Sequence, residues 1–252
     1  MLKQLVVSGI MVLMLGGCVT TSDQPTRKAD PDKARDAYVQ LGIGYLQKGE
    51  TERAKSPLRE ALKIDPRSDA ANIALAMVFQ QEGETESADK HFRAALTSSP
   101  DNPRILNNYG AFLMEQGRHQ EALEYFKKAS KDTFYSERSR VFENQGLAYR
   151  KLGKTDEARA SFERALRLNS QQPQALYELA QIEFEARNYV PAWNHYLGFT
   201  QMSAQNASSL WLGIQLARRF NDHNRAASYA LQLRRLYPAT PEVQALLESE
   251  RS

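Results

Sequence analysis

The sequence predicts an all-α solenoid of six stacked helix-turn-helix units closed by a C-terminal capping helix. Three observations carry that expectation. Apolar residues recur at helical spacing: Tyr38, Leu41, Gly42 and Tyr45, then Ala54, Leu58, Ala61 and Leu62, each mark one face of a helix. The pattern returns at nearly 34-residue intervals along most of the 252-residue chain. Ala, Leu, Glu, Gln, Arg and Lys dominate, and runs of β-branched residues are almost absent. A single pair of short helices cannot bury its own apolar stripe, so each pair needs the next one to stack on.

In chain order, the first 17 residues, MLKQLVVSGIMVLMLGG, carry one positive charge at Lys3 and an apolar run over residues 5–15. That run is shorter than the roughly 20 residues a bilayer-spanning helix needs and reads as a signal peptide. It ends in Leu15-Gly16-Gly17-Cys18, which resembles a bacterial lipobox. The resemblance implies cleavage before Cys18 and a covalent lipid on it, with several acyl chains for durable attachment. Cys18 is also the one cysteine of the chain, which excludes an internal disulfide and a cysteine-based metal cluster. Val19, and not Asp, follows it. By resemblance to lipoprotein sorting, this implies the periplasmic face of the outer membrane. Residues 18–33 are polar with two prolines and read as a flexible tether.

From Arg35 the repeats begin. Tyr38-x2-Leu41-Gly42-x2-Tyr45 is followed by Ala54-x3-Leu58-x2-Ala61 and Pro66. The second copy has Leu75-Ala76-x2-Phe79, Ala88-x3-Phe92-x2-Ala95 and Pro100. The third has Tyr109-Gly110-x2-Leu113 and Ala122-x3-Phe126-x2-Ala129, then a linker two residues long in excess. The fourth has Gly146, Tyr149 and Ala158-x3-Phe162-x2-Ala165. The fifth keeps Leu179-Ala180 and Ala192-x3-Tyr196 but places Glu183 where an aromatic is expected. In the sixth, aligning Leu212-Gly213 with the first helix requires a one-residue insertion near 220–224 to reach Ala226 and Pro238.

This pattern resembles the tetratricopeptide repeat (TPR), whose signature is W-x2-L-G-x2-Y…A-x3-F…P. The resemblance implies a right-handed superhelical solenoid over residues 34–238, in copies of about 35–68, 69–102, 103–138, 139–172, 173–206 and 207–238. Residues 239–252 follow as the cap: Thr240 as N-cap, Pro241 at the first helical position, and Val243, Leu246 and Leu247 on one apolar face. With both ends cappable, the chain is expected to be a monomer. Gly or Ala at the eighth position and Ala at the twentieth let paired helices approach, and the bulky residue at the twenty-fourth fills the space between them. Gly49, Gly117 and Gly153 stand where the chain must turn.

No chemistry rises above this scaffold. His91, His119, His195 and His223 are scattered, and no metal-ligand spacing links them. Gly42-x-Gly44 sits inside a helical pattern and lacks the third glycine of a phosphate loop. The formal charge of +3 comes without a basic block, which argues against nucleic acid. The expectation is therefore a non-enzymatic binding protein with no cofactor beyond the lipid on Cys18.

In TPR proteins, positions 5, 9 and 12 of each repeat line the concave groove. Carried over, they are Val39, Ile43 and Leu46; Ile73, Met77 and Gln80; Asn107, Ala111 and Met114; Glu143, Leu147 and Arg150; Tyr177, Gln181 and Phe184; and Leu210, Ile214 and Ala217. The N-terminal end of the groove is then apolar and its middle polar. Val39, Ile43, Leu46, Ile73 and Met77 become the candidate partner-binding residues. Ile43 stands where a carboxylate-clamp Asn would be, so a peptide C-terminus is not the expected ligand.

A lipobox, a short tether and six TPR copies ending in Leu236-Tyr237-Pro238 resemble the type IV pilus biogenesis/stability lipoproteins. That resemblance implies a pilotin, which escorts the pilus secretin to the outer membrane and supports its multimerisation. The partner would be the secretin or another pilus assembly protein. The alternative is a TPR lipoprotein adaptor for outer-membrane protein insertion or cell-wall synthesis complexes.

Overall fold

A computed structural model describes residues 30–251. The signal peptide, Cys18 and most of the expected tether lie outside the described residues. Among those described there are thirteen helices and no strand. They are α1 (Pro31–Gln47), α2 (Thr51–Ile64), α3 (Asp69–Gln81), α4 (Thr85–Ser98), α5 (Pro103–Glu115), α6 (His119–Ala129) and α7 (Arg138–Lys151). After them come α8 (Thr155–Leu168), α9 (Pro173–Glu185), α10 (Tyr189–Met202), α11 (Ala207–Arg219), α12 (His223–Leu236) and α13 (Pro241–Arg251). No helix among them is long and apolar enough to cross a membrane.

Local chemistry sets the boundaries. Asp30 caps α1 by accepting the Asp32 amide, and Pro31 takes the first helical turn, so the helix starts three residues before the expected boundary at 34. Ser68, Asn102 and Asp222 cap α3, α5 and α12 in the same way. Asn206 and Ser209 form a reciprocal capping box on α11. Within repeats one to four, each helix pair turns at a left-handed glycine. In the fifth and sixth repeats Arg187 and Asn221 occupy that conformation, at φ 62° and 54°.

The stacking follows the expected residue types. Ala54, Ala88, Ala122, Ala158 and Ala192 are fully buried, as are Leu58, Phe92, Phe126, Phe162 and Tyr196 four residues on. A Cβ at Gly110 or Gly146 would come within 2.5 or 2.6 Å of the Phe126 or Phe162 ring, so glycine is required for each pair to close. Glu183 is buried and replaces the expected aromatic with polar contacts. Arg159 of α8 donates to it at 2.8 Å, and so does Asn188.

Three expectations need correction. The sixth repeat contains no insertion: α11 begins 34 residues after α9, α12 begins 34 after α10, and the turn residue Asn221 lies 34 after Arg187. Ile214, and not Gly213, therefore stands in the eighth position; a Cβ on Gly213 would run into the Tyr196 hydroxyl of the preceding repeat. Leu247 is exposed, while Val243 and Leu246 alone seat α13 against Leu210, Ile214 and Leu233. At the opposite end Tyr38 and Leu41, expected on the packed face of the first helix, are 38% and 49% exposed, since no helix among the described residues packs on the outer side of α1.

Candidate functional site

The first helix of each pair faces the concave side, and a largely apolar hollow lies where α1, α3 and α5 meet. It has a volume of about 550 Å³. Ile43 and Leu46 of α1 and Ala70, Ile73, Ala74 and Met77 of α3 form its apolar wall. Gln47, Gln80 and Gln81, with Arg104, Asn108 and Glu115 of α5, make the polar edge. Gln80 donates to Glu115 at 2.7 Å, which ties α3 to α5 along that edge. Met77 is 41% exposed, whereas Ile73 is nearly buried.

Of the five candidate groove residues, four line this hollow: Ile43, Leu46, Ile73 and Met77. Val39 does not. It is 4% exposed and packs on Ala61 of α2 and Ala71 of α3, so it belongs to the core. Position 5 lies in the seam between successive first helices, which is why Asn107 is buried there as well, accepting a 2.9 Å hydrogen bond from Asn144. In the first two repeats positions 9 and 12 line the hollow, and Ile73 at position 5 of the second adds an edge to it.

The middle of the concave face has a different chemistry. Arg150 of α7 donates to both oxygens of Glu185 on α9 at 2.9 and 2.8 Å and lies 3.7 Å from Glu178. Glu143 accepts only the Ala175 amide, at 3.2 Å. Burial pushes both Glu143 and Glu178 above the usual carboxylate range. Tyr177 is pushed up to about 12, chiefly by burial.

At the far end the carried-over residues Leu210, Ile214 and Ala217 are fully buried, the first two beneath α13. With the 34-residue spacing kept, they stand at positions 4, 8 and 11, which face the core. Shifted by one, the groove positions are Trp211, Gln215 and Arg218. Trp211 and Gln215 do line a smaller hollow of about 240 Å³ with Gln181 and Phe184. The 34-residue spacing of Ala192 to Ala226 held the signal for this register.

No group of three or more His, Cys, Asp or Glu among the described residues is placed to hold a metal ion. His91 is engaged with the Asn72 side chain at 2.9 Å and stacks on Phe79. Burial lowers the pKa of both His91 and His195.

Helix pairs stacked at a spacing of nearly 34 residues are the architecture of a TPR protein. Profiles described as tetratricopeptide repeat match residues 101–171 and 36–68, and one described as YpiA-like, C-terminal tetratricopeptide repeats, matches residues 70–131. The chain is 53% identical over 237 residues to the type IV pilus assembly protein PilF of Pseudomonas aeruginosa, covering 93% of this chain and 94% of that one. It therefore belongs to the TPR family of type IV pilus assembly proteins. A solved structure of Pseudomonas aeruginosa PilF superposes with a TM-score of 0.86 at 53% identity, over 87% of this chain and 99% of that one. The crystal structure of PilW, described as a widely conserved type IV pilus biogenesis factor, matches with a TM-score of 0.75 at 29% identity, over 85% and 99% of the two chains.

Proposed function

We propose that this pilus biogenesis protein is an outer-membrane lipoprotein, anchored through Cys18 at the periplasmic face, that acts as the pilotin of the type IV pilus secretin. It captures the secretin, or another pilus assembly protein, in the groove walled by Ile43, Leu46, Ile73 and Met77. From there it promotes the secretin's outer-membrane localisation and multimerisation. The observation that carries the reading is the apolar hollow itself, set in a chain whose family assembles pili. Burying an aliphatic side chain there contributes roughly 1.5–3 kcal/mol. Three such contacts together contribute roughly 4.5–9 kcal/mol, against which the costs of association and ordering are set.

Cell fractionation tests the anchor. Cys18→Ala is expected to move the protein from the outer membrane to the soluble periplasm and to reduce secretin multimers in the outer membrane. A variant that still fractionates with the outer membrane contradicts lipid anchoring. Soluble protein with unaltered secretin multimers contradicts the escort role.

A further inference from the structure

The second helices of the repeats all end on one edge of the solenoid, and that edge carries a row of exposed apolar side chains. Ile64, Leu168, Met202 and Leu236 are the last residues of α2, α8, α10 and α12, and each is between 38% and 59% exposed. Leu168, Met202 and Leu236 fall 34 residues apart, and Phe134 stands 34 before Leu168. Its side chain is 97% exposed. It sits in the linker of residues 130–137 between α6 and α7, eight residues long where the other linkers between pairs have four. Asp132 accepts the Phe134 amide at 2.9 Å, and Arg138 donates to the Ser130 carbonyl at 2.8 Å. These bonds fix the linker while the ring stays outside it.

The chain enters the solenoid on the same edge. Arg35, near the start of α1, lies 3.6 Å from Asp65 of the first linker. Ser99 of the second linker donates to Asp69 at 2.9 Å, and Gln172 of the fourth donates to Ser139, just past the third, at 3.0 Å. The twelve residues 18–29 can span at most about 40 Å between Cys18 and this edge. Cations accompany the apolar row. Lys63, Arg167 and Arg235 immediately precede Ile64, Leu168 and Leu236. Lys128 and Lys131, both exposed, lead up to Phe134. Apolar side chains bordered by Lys and Arg suit an anionic lipid surface, whereas protein-docking surfaces are depleted in Lys.

We infer that the linker edge rests on the anionic phospholipid surface to which the chain is tethered, with the Phe134 ring inserted at the boundary between headgroups and acyl chains. The inference rests on the Cys18 anchor of the proposed function. One aromatic ring binds a bilayer weakly, and the tether offsets this by holding the ring near the surface at high effective concentration.

Depth-dependent quenching on the lipidated full chain tests it. Thr133→Cys, beside the ring, and Glu84→Cys, on the opposite edge, each carry a nitrobenzoxadiazole label, Cys18 being occupied by its lipid. The proteins are reconstituted in vesicles of phosphatidylethanolamine and phosphatidylglycerol, with and without doxyl-labelled lipid, and recovered by flotation. Both are expected to float, with the label at 133 quenched by the doxyl groups and the label at 84 not. Phe134→Ser in the Thr133→Cys protein is expected to lower the inserted-to-free ratio at least about fivefold, as loss of a partly buried ring would. Lys128→Glu together with Lys131→Glu is expected to lower it as well. Floating protein with no quenching at 133, with equal quenching at 133 and 84, or with a ratio unchanged by Phe134→Ser overturns the inference and leaves the anchor standing. Protein that does not float overturns the anchor and the inference together.

Discussion

The first two repeats and the fourth and fifth share one backbone plan but offer opposite inner surfaces. Around α1 and α3 the ninth and twelfth positions hold Ile43, Leu46 and Met77 beside an apolar hollow. Around α7 and α9 the equivalent surface holds Arg150, clamped by Glu185 and Glu178, with Glu143 beside it. The residues that hold the helices together are nearly the same in both regions. Ala54 and Leu58 do for one pair what Ala158 and Phe162 do for the other. The difference teaches that the scaffold is set by the eighth, twentieth, twenty-fourth and twenty-seventh positions, while the ninth and twelfth are free to set recognition. An apolar wall rewards burial of a partner's side chains, whereas a satisfied ion-pair network gains little from desolvation.

That division is open to three tests of decreasing effect. Phe126→Ala empties a fully buried site against Gly110 and is expected to destabilise the protein by about 3–5 kcal/mol in chemical denaturation. A loss below about 1 kcal/mol would mean that the twenty-fourth position does not hold the stack. Met77→Asp alters an exposed side chain, so stability is expected to hold within about 0.5 kcal/mol. Partner affinity is expected to fall at least about tenfold, measured by calorimetry with the purified secretin.

The smallest effect is expected from Glu143→Gln. Burial raises the folded-state pKa of Glu143, so the folded state holds that proton more tightly than the unfolded chain. The stability this confers is complete below the unfolded value of about 4.3 and is lost as pH rises through the folded pKa. The neutral Gln is therefore expected to raise the melting temperature at pH 7 and to leave it unchanged at about pH 4. An equal shift at both pH values would remove the buried charge as the cause.

Much of the scaffold is legible in the residues because small and bulky side chains at fixed spacing have one way to interlock. Gly110 under Phe126 and Gly146 under Phe162 are read directly from the sequence and found in contact. In the sixth repeat a local motif competes with the lattice. Leu212-Gly213 imitates Leu41-Gly42, but the 34-residue spacing of the surrounding helices places Ile214 in that seat. Val39 is apolar and sits at a position that lines grooves in TPR proteins. Only packing reveals that the α1–α3 seam closes over it. The exposure of Tyr38 and Leu41 is likewise invisible in sequence, since their chemistry matches the interior copies and only their place at the end of the stack differs. The paired Glu183 was visible as a departure, yet its partner Arg159 lies 24 residues away and on another helix.

The central claim, that the apolar groove of the first two repeats captures the secretin, is tested most directly by titrating purified secretin against the native protein and against Met77→Asp. Both proteins must first show matching circular dichroism and melting temperature. The account predicts a saturable heat for the native protein and at least about tenfold weaker binding for the variant. Equal affinity for the two would place capture elsewhere on the molecule and contradict the account.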